Sequence, residues 1–509
     1  MSMMNTFRST EIRARSVRAK SGAAALLALA IATGCALASC SPENLVGNAP
    51  LPPDVPDPAQ THTAAGALEA YRGALLLFRS AVGGDGNSMV PISGLLTDEL
   101  RAGDLGQQGN ISDGMRVDSR FLPEYSGSGD DNNTPSIVRI TYELLQKSRG
   151  QSHESRGALI AYPPAGSADL QGHLDAIEAY SDVYLADLFC SGIPLSTLDF
   201  GKDFTYQAGS STEQVYQKAV SLFDSAMTLA VDSERVLNLA RVGKGRALLA
   251  LGNYADAAAT VASVPDGYQY VLLYDQTPSP STGQTDFYLN RSFVFADFNP
   301  SAGAIGTQIT MVDREGANGL PFISSNDPRS AWVDDGTNQY GRPKIHPAKY
   351  STLGDGPLVI ASGVEARLIQ AEAALKVGGA SWLTMLNTLR TDGTFDTQQD
   401  TIDPLKTDTL WHAGTGGVAG LKPLPDPVGA DAQVDLLFSE RAYWLFITGT
   451  RQGDLRRLIR QYGRQSNHVY PIGTYPGAFN TYGNDITAPI TGEERISNPL
   501  YTGCAGRGA

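Results

Sequence analysis

Positive charge is in short supply in this chain. Lysine and arginine number 39 against 53 aspartates and glutamates, a formal net charge of −14. A surface of that sign repels phosphate backbones, which argues against nucleic acid as a partner. Histidine is scarcer still, at positions 62, 153, 173, 346, 412 and 468, with neither a His-Glu-x-x-His nor a Gly-x-Ser-x-Gly arrangement. The signatures of zinc peptidases and of the serine nucleophile elbow are therefore missing. Acidic pairs are so numerous that none can be singled out as the two carboxylates of a glycoside hydrolase. Beyond residue 40, no apolar run approaches the ~20 residues that a membrane-spanning helix needs. The stretch GTGGVAG (414–420) approximates a dinucleotide fingerprint but follows DTLWHA rather than a strand. SGSGDDNNTP (126–135) lacks the Asp-x-Asp-x-Asn-Gly register of a calcium loop and reads as a solvated turn. No metal, no cofactor and no bond-making chemistry is expected.

What is present begins with a leader. Arg8, Arg13, Arg15, Arg18 and Lys20 precede an apolar run from Ala23 to Ala38, the form of a secretory signal. Leu37-Ala38-Ser39-Cys40 then resembles the bacterial lipobox, with Ala32-Thr33-Gly34-Cys35 a weaker second candidate. The resemblance implies cleavage before Cys40 and acylation of its thiol. Acyl chains contribute roughly 0.8 kcal/mol per buried CH₂, so a multiply acylated Cys40 holds a protein on a membrane without a spanning helix. Ser41 in place of Asp implies the outer membrane. Cys190 and Cys504 then remain, and two readings stand for them: a disulfide, which an exported protein can keep, or two buried thiols.

Three segments follow from composition: a signal peptide at 1–39, a Pro-rich tether at 40–63 containing NAPLPPDVPDPAQTH, and a folded body over 64–509. Helical period runs through 66–82, 167–189, 210–230, 235–265, 363–378 and 436–463. Ser211 and Gln214 have capping-box spacing at the start of the third. In the fourth, Gly245, Gly252, Tyr254 and Ala257 fit the tetratricopeptide helix–turn–helix pattern, in which small residues let two helices approach. Polar stretches rich in Gly, Asn, Asp and Pro separate the helices at 83–94, 124–135, 275–286, 299–345 and 391–431, too long for plain connections. SFVFADF (292–298) is one of few strand signals. The expected fold is mainly α, a helix-pair scaffold with long loops.

Several stretches together resemble the SusD/RagB family of surface lipoproteins that serve glycan uptake. They are LLTDELR (95–101), YLADLFCSGIPLS (184–196), DPRSAW (327–332) with KY (349–350), EARLIQAEAAL (365–375), SERAYWLFITGTRQGDLRR (439–457) and PITGEERISNP (489–499), in the family's order. Cys190 after Phe189 and Ile447-Thr448 before Gly449 depart from its pattern, which makes this a divergent member. The resemblance implies four tetratricopeptide-like helix pairs with the loops gathered into a ligand face. It implies a non-enzymatic protein that captures oligosaccharide, or a related nutrient, and passes it to a SusC-like TonB-dependent transporter in the outer membrane. A periplasmic tetratricopeptide adapter that binds proteins is the alternative reading.

Residues 439–457 carry Glu440, Arg441, Arg451, Asp454, Arg456 and Arg457, which read as an ion-pair network locking the last helix to the scaffold, with Glu440 and Asp454 as partners, rather than as a binding patch. Sugar rings present C–H faces that pack on aromatic rings, while carboxylates and amides bond their hydroxyls. Trp332 with Asp334 and Asn338 is the first candidate for that role, followed by Tyr340, Tyr288 and Trp411. Each could instead pin its own loop.

Overall fold

The computed structural model describes residues 62–84, 87–103, 112–123, 134–274, 309–337, 343–350, 357–391, 421–477 and 479–509. Cys40 and the segments around it, the strand signal at 292–298, and Tyr288, Asn338, Tyr340 and Trp411 lie outside the described residues.

Fourteen helices occur among the described residues. The first three are α1 (Ala64–Gly83), α2 (Met89–Leu96) and α3 (Asp113–Asp118), followed by α4 (Ser136–Ala161) and α5 (Ser167–Leu188). Then come α6 (Thr212–Leu229), α7 (Glu234–Ala250), α8 (Tyr254–Val261), α9 (Gly363–Lys376) and α10 (Ser381–Thr391). The last four are α11 (Ala430–Trp444), α12 (Arg451–Tyr462), α13 (Ser466–Val469) and α14 (Gly492–Ser497). The described strands form only two-stranded antiparallel ladders: β1 (Leu100–Ala102) with β7 (Ile309–Met311), β2 (Ile193–Pro194) with β5 (Gly209–Ser210), β3 (Thr197–Leu198) with β4 (Phe204–Thr205), β6 (Gln269–Leu272) with β10 (Leu358–Ser362), and β8 (Trp332–Thr337) with β9 (Pro343–Pro347). Mainly helical architecture is thus present as expected, and no helix among the described residues is long and apolar enough to cross a membrane.

Each long helix packs on its neighbour in the order α1, α4, α5, α6, α7, α8, α9, α10, which gives four successive pairs. Helix α5 lies at the centre and is buried on every side from Gly172 to Leu188, with its apolar residues from Ala176 onward in the largest core cluster. Local chemistry sets the ends. Ser211 accepts from the Gln214 backbone N–H while the Gln214 side chain accepts from the Ser211 N–H, so the capping box forms as the spacing requires. Gly245 allows the close approach its motif calls for: a Cβ there would stand 2.6 Å from Val261 Cγ1.

Two expectations change. The span 436–463 is not one helix. It breaks between α11 and α12, where Ile447 (φ 48°) and Gly449 (φ 81°) adopt left-handed backbone. A β-branched residue is rare in that region. Ile447 is held there because its N–H donates to Glu99 at 2.8 Å and its carbonyl accepts from Tyr350 at 2.7 Å. The second change is α4, 26 residues long, for which no helical period stands out. Its buried face carries Ser148, Arg149, Ser152 and Ser155 among its apolar residues, so the hydrophobic stripe is broken. The stretch 83–94 likewise contains α2 rather than open loop.

Candidate functional site

Charge is distributed in two very different ways. In the last helices, arginines are buried and paired with carboxylates through two guanidinium nitrogens. Arg441 meets Asp454 at 2.8 and 2.9 Å, Arg457 meets Glu372 at 3.1 and 2.8 Å, and Arg451 meets Asp98 of the LLTDELR stretch at 2.7 and 2.9 Å. Glu440 receives Arg329 of DPRSAW at 2.7 and 3.1 Å and Arg390 at 2.6 Å. Arg456 donates to the Ala186 and Asp187 carbonyls. Burial pushes the Asp454 carboxyl up, but Arg441 and Arg457 outweigh it and hold it at about 2. These groups are framework, as expected, although the partners of Glu440 come from other segments. Beside them sit Glu99, which burial pushes up to about 8, and Lys349, which burial lowers to about 8.

The disulfide reading of the two body cysteines is the one the structure contains. Cys190 and Cys504 are bonded, Cα to Cα 5.8 Å, across 314 residues. Backbone bonds flank the link, from Ser191 N–H to Gly506 at 2.9 Å and from Ala505 N–H to Ser191 at 2.7 Å.

Trp332 and Asp334 lie two residues apart on β8, which places them on one face of the strand. All of β8 is exposed, and Trp332 is 39% exposed. Asp334 accepts from the Gly336 N–H at 2.8 Å, which shapes the turn but leaves its other oxygen open among the described contacts. On the opposite face Asp335 bonds His346 of β9 at 2.6 Å. The hairpin therefore brings Trp332 and Asp334 together. Whether Asn338 and Tyr340 join them is outside the described residues, as are Tyr288 and Trp411.

A second concave feature was not anticipated. A cavity of about 630 Å³ runs along α4, walled on one side by the β3–β4 hairpin and on the other by α14. Such a volume falls in the range of small-ligand sites. Helix α4 supplies Tyr142, Glu143, Gln146, Lys147, Gln151 and Glu154; the hairpin supplies Leu198, Phe204 and Tyr206; α14 supplies Glu493 and Glu494. Its walls are fastened by hydrogen bonds. Tyr142 Oη donates to Glu494 at 3.2 Å and accepts from Gln146 at 3.1 Å, and Arg149 donates to the Ser196 carbonyl. His153 bridges Glu178 at 3.2 Å and Asp199 of the hairpin at 2.9 Å, and the hydrogen bond to Glu178 raises its pKa above the usual histidine value. Gly157 lets the hairpin close on α4, since a Cβ there would stand 2.7 Å from Phe200 Cβ.

What remains unfastened faces the cavity. Phe204 is 51% exposed and Tyr206 42%, their ring centroids 4.9 Å apart and nearly perpendicular. Glu154 has no hydrogen bond or ion pair among the described residues, and partial burial raises its carboxyl above the usual value. Lys147 reaches Glu143 only at 3.7 Å, and Glu493 reaches Arg139 only at 3.7 Å. A short signal for this site does exist in the sequence: DFTYQ places Phe204 and Tyr206 at strand spacing between Gly201 and Gly209.

Comparison with known proteins places the fold. No family model matches the chain, and no curated protein matches it. Solved structures do. A SusD superfamily protein from Bacteroides vulgatus superposes with a TM-score of 0.55 at 14% identity, covering 87% of this chain and 99% of its own. A laminarin-binding SusD-like protein gives 0.55 at 13% identity, with 86% and 99% covered. A SusD homolog from Bacteroides thetaiotaomicron gives 0.57 at 12% identity, with 88% and 99% covered. This chain has the SusD-like fold, at a sequence distance where fold alone is shared.

Proposed function

We propose that this chain, a protein of SusD-like fold, is an outer-membrane lipoprotein that captures oligosaccharide at the cell surface. In this reading it delivers the sugar to a TonB-dependent transporter. Cys40 carries the lipid, residues 41–63 form the tether, and the body from residue 64 does the binding. Binding alone is required, and no bond is made or broken.

The observation that carries the reading is the exposed Trp332 beside Asp334 on a hairpin of a helical scaffold of this fold. Fully hiding a large apolar side chain from water is worth roughly 1.5–3 kcal/mol, and with Trp332 39% exposed this chain leaves part of that gain unrealised on β8. A flat apolar ring next to an open carboxylate oxygen suits a pyranose, which has a C–H face and a rim of hydroxyl donors. One structural neighbour is named for binding laminarin, and a β-glucan is accordingly the first ligand to try.

The test uses the full chain purified from membranes in detergent and a panel of soluble oligosaccharides and peptides. Saturable binding of an oligosaccharide, weakened in Trp332→Ala, supports the reading, as does co-purification of an outer-membrane barrel protein. Labelled palmitate on wild-type chain but not on Cys40→Ala, with proteinase access on intact cells, tests the anchor and the face. Preference for peptides, with protection in intact cells, would instead favour the periplasmic adapter.

A further inference from the structure

We propose that the groove along α4 is a second carbohydrate subsite, selective for oligosaccharides that carry free amines and closed to uronic-acid chains. The proposal rests on the reading of the chain as a glycan-binding protein, and places a substrate class at an element other than the Trp332 hairpin.

The first argument is aromatic exposure. Among the described residues the exposed aromatic side chains of Phe, Tyr and Trp are Phe121, Phe204, Tyr206 and Trp332. Two of these four stand together in one groove. Phe204 has no polar atom that needs water, so its exposure serves no hydrogen bond. Phe204 and Tyr206 alternate with Thr205, so both project from the same side of the chain, and their near-perpendicular rings make a corner against which a sugar ring can lie. The corner is held in place. Ser196 Oγ accepts from the Gln207 N–H at 3.0 Å, and Asn498 donates to the Gln207 carbonyl at 2.9 Å.

The second argument is charge. Four carboxylates, Glu143, Glu154, Glu493 and Glu494, line the groove against Lys147 and Arg149. Arg149 is spent on Gln146 and the Ser196 carbonyl and is itself buried. Glu494 is occupied by Tyr142 and Asn498, and Glu143 by Arg139 at 2.7 Å. Glu154 is left partly buried with no partner among the described residues. A carboxylate that is partly removed from water gains from any donor brought to it, and gains most from a cation. A protonated sugar amine is such a cation, carried on a ring whose C–H face fits the Phe204–Tyr206 corner. A uronate would instead bring a further negative charge into a groove where four carboxylates already outnumber Lys147 and Arg149, which is unfavourable.

The test measures binding of three hexamers to the full chain at mildly acidic pH: glucosamine, N-acetylglucosamine and galacturonate. Wild-type chain is expected to bind the free-amine hexamer most tightly, the acetylated one less and the uronate not measurably. Phe204→Ala/Tyr206→Ala is expected to weaken the free-amine hexamer about tenfold or more, because both stacking rings are lost. Glu154→Gln is expected to weaken it about fivefold, as for an exposed-to-half-buried ion pair, while leaving the acetylated hexamer within about twofold. Both variants change surface groups, and an unaltered thermal midpoint verifies their fold. Unchanged binding in the double variant overturns the proposal, as does equal affinity for the amine and acetylated hexamers in wild type. Tighter binding of a tetralysine peptide than of any sugar, lost in Glu154→Gln, overturns it in favour of a basic peptide. Sugar binding that is lost in Trp332→Ala but untouched in both groove variants overturns this site alone. Wild-type chain that binds no oligosaccharide at all overturns the carbohydrate reading with it.

Discussion

The last helices and the α4 groove use the same residue types to opposite ends. In α11 and α12, Arg441, Arg451 and Arg457 each meet a carboxylate through two guanidinium nitrogens and both carboxylate oxygens in the buried interior, so little is left for a ligand to do. In the groove, Glu154 lacks a partner among the described residues, Lys147 and Glu493 are held loosely, and two aromatic rings are half exposed. A cluster of charge in the sequence therefore says little by itself. Completeness of pairing is what separates a framework from a binding surface, and it is a property of the fold.

The sharpest way to break that contrast is to unmatch the framework. Asp454 bonds Arg441 and stands 2.9 Å from Arg457. Asp454→Ala leaves two guanidinium groups buried without their shared carboxylate and is expected to cost about 3–5 kcal/mol in urea unfolding. The sign with pH follows from its low pKa. The stability it contributes is present above the unfolded value of 3.8 and is lost as pH falls through about 2. If Asp454→Ala unfolds with an unchanged midpoint, the pairing is not what holds α11 to α12.

Next in size is the covalent tie. The Cys190–Cys504 bond closes 314 residues and fixes the chain end beside the loop after α5. Cys190→Ser/Cys504→Ser is expected to lose about 2–4 kcal/mol, read as a fall in thermal midpoint that reductant reproduces in wild type. The comparison sharpens if the double variant also weakens groove ligands, because α14, a wall of the groove, lies just before that chain end.

A smaller effect comes from Glu99, a buried framework carboxylate that is poorly matched. Burial pushes Glu99 up to about 8, against 4.5 unfolded. The native state keeps a proton that the unfolded chain releases, so this stability is complete below pH 4.5 and is lost as pH rises through 8. Asp182 and Glu315, both pushed by burial to about 7, slope the same way, and Lys349 adds an opposite slope only above pH 8. Thermal midpoints are expected to fall from pH 5 to 7.5. Glu99→Gln keeps the acceptor for the Ile447 N–H and is expected to flatten the slope by on the order of 1–3 kcal/mol across that window. An identical slope in the variant would assign the effect to the other carboxylates.

How much of this was legible in the sequence depends on the range of the interactions. The Ser211–Gln214 box and the Gly245 approach are set within one or two turns, and spacing alone carries them. Asp98 with Arg451 spans 353 residues, and only the resemblance of the two stretches to one family linked them. Helix α4 was not legible because serines and Arg149 occupy its buried face, where apolar periodicity would otherwise show. The groove was missed for the same reason, since its floor is α4 and its wall is a hairpin of two-residue strands. Trp332 and Asp334 were legible as neighbours because strand alternation needs only two residues.

The smallest expected effect on stability belongs to that pair, and it is the one that tests the contrast from the other side. Trp332 is on an exposed strand whose ladder is made by backbone, with Trp332 opposite Pro347 and Val333 opposite His346. The Trp332 side chain is 39% exposed and lies outside the core clusters, so Trp332→Ala is expected to change stability by only about 1 kcal/mol. Its effect on ligand should be larger, about tenfold for one aromatic stacking partner. Asp334→Asn is expected to be milder on both counts, since an amide oxygen still accepts from Gly336 N–H and one acceptor for a hydroxyl remains. Denaturation and binding measured on the same preparations check both. A framework variant should lose stability and, where still folded, bind normally, while Trp332→Ala should do the reverse. Should Trp332→Ala instead destabilise the chain and bind as wild type does, the ring is a clasp for its own hairpin, and the line drawn between matched and unmatched groups would not pass through β8.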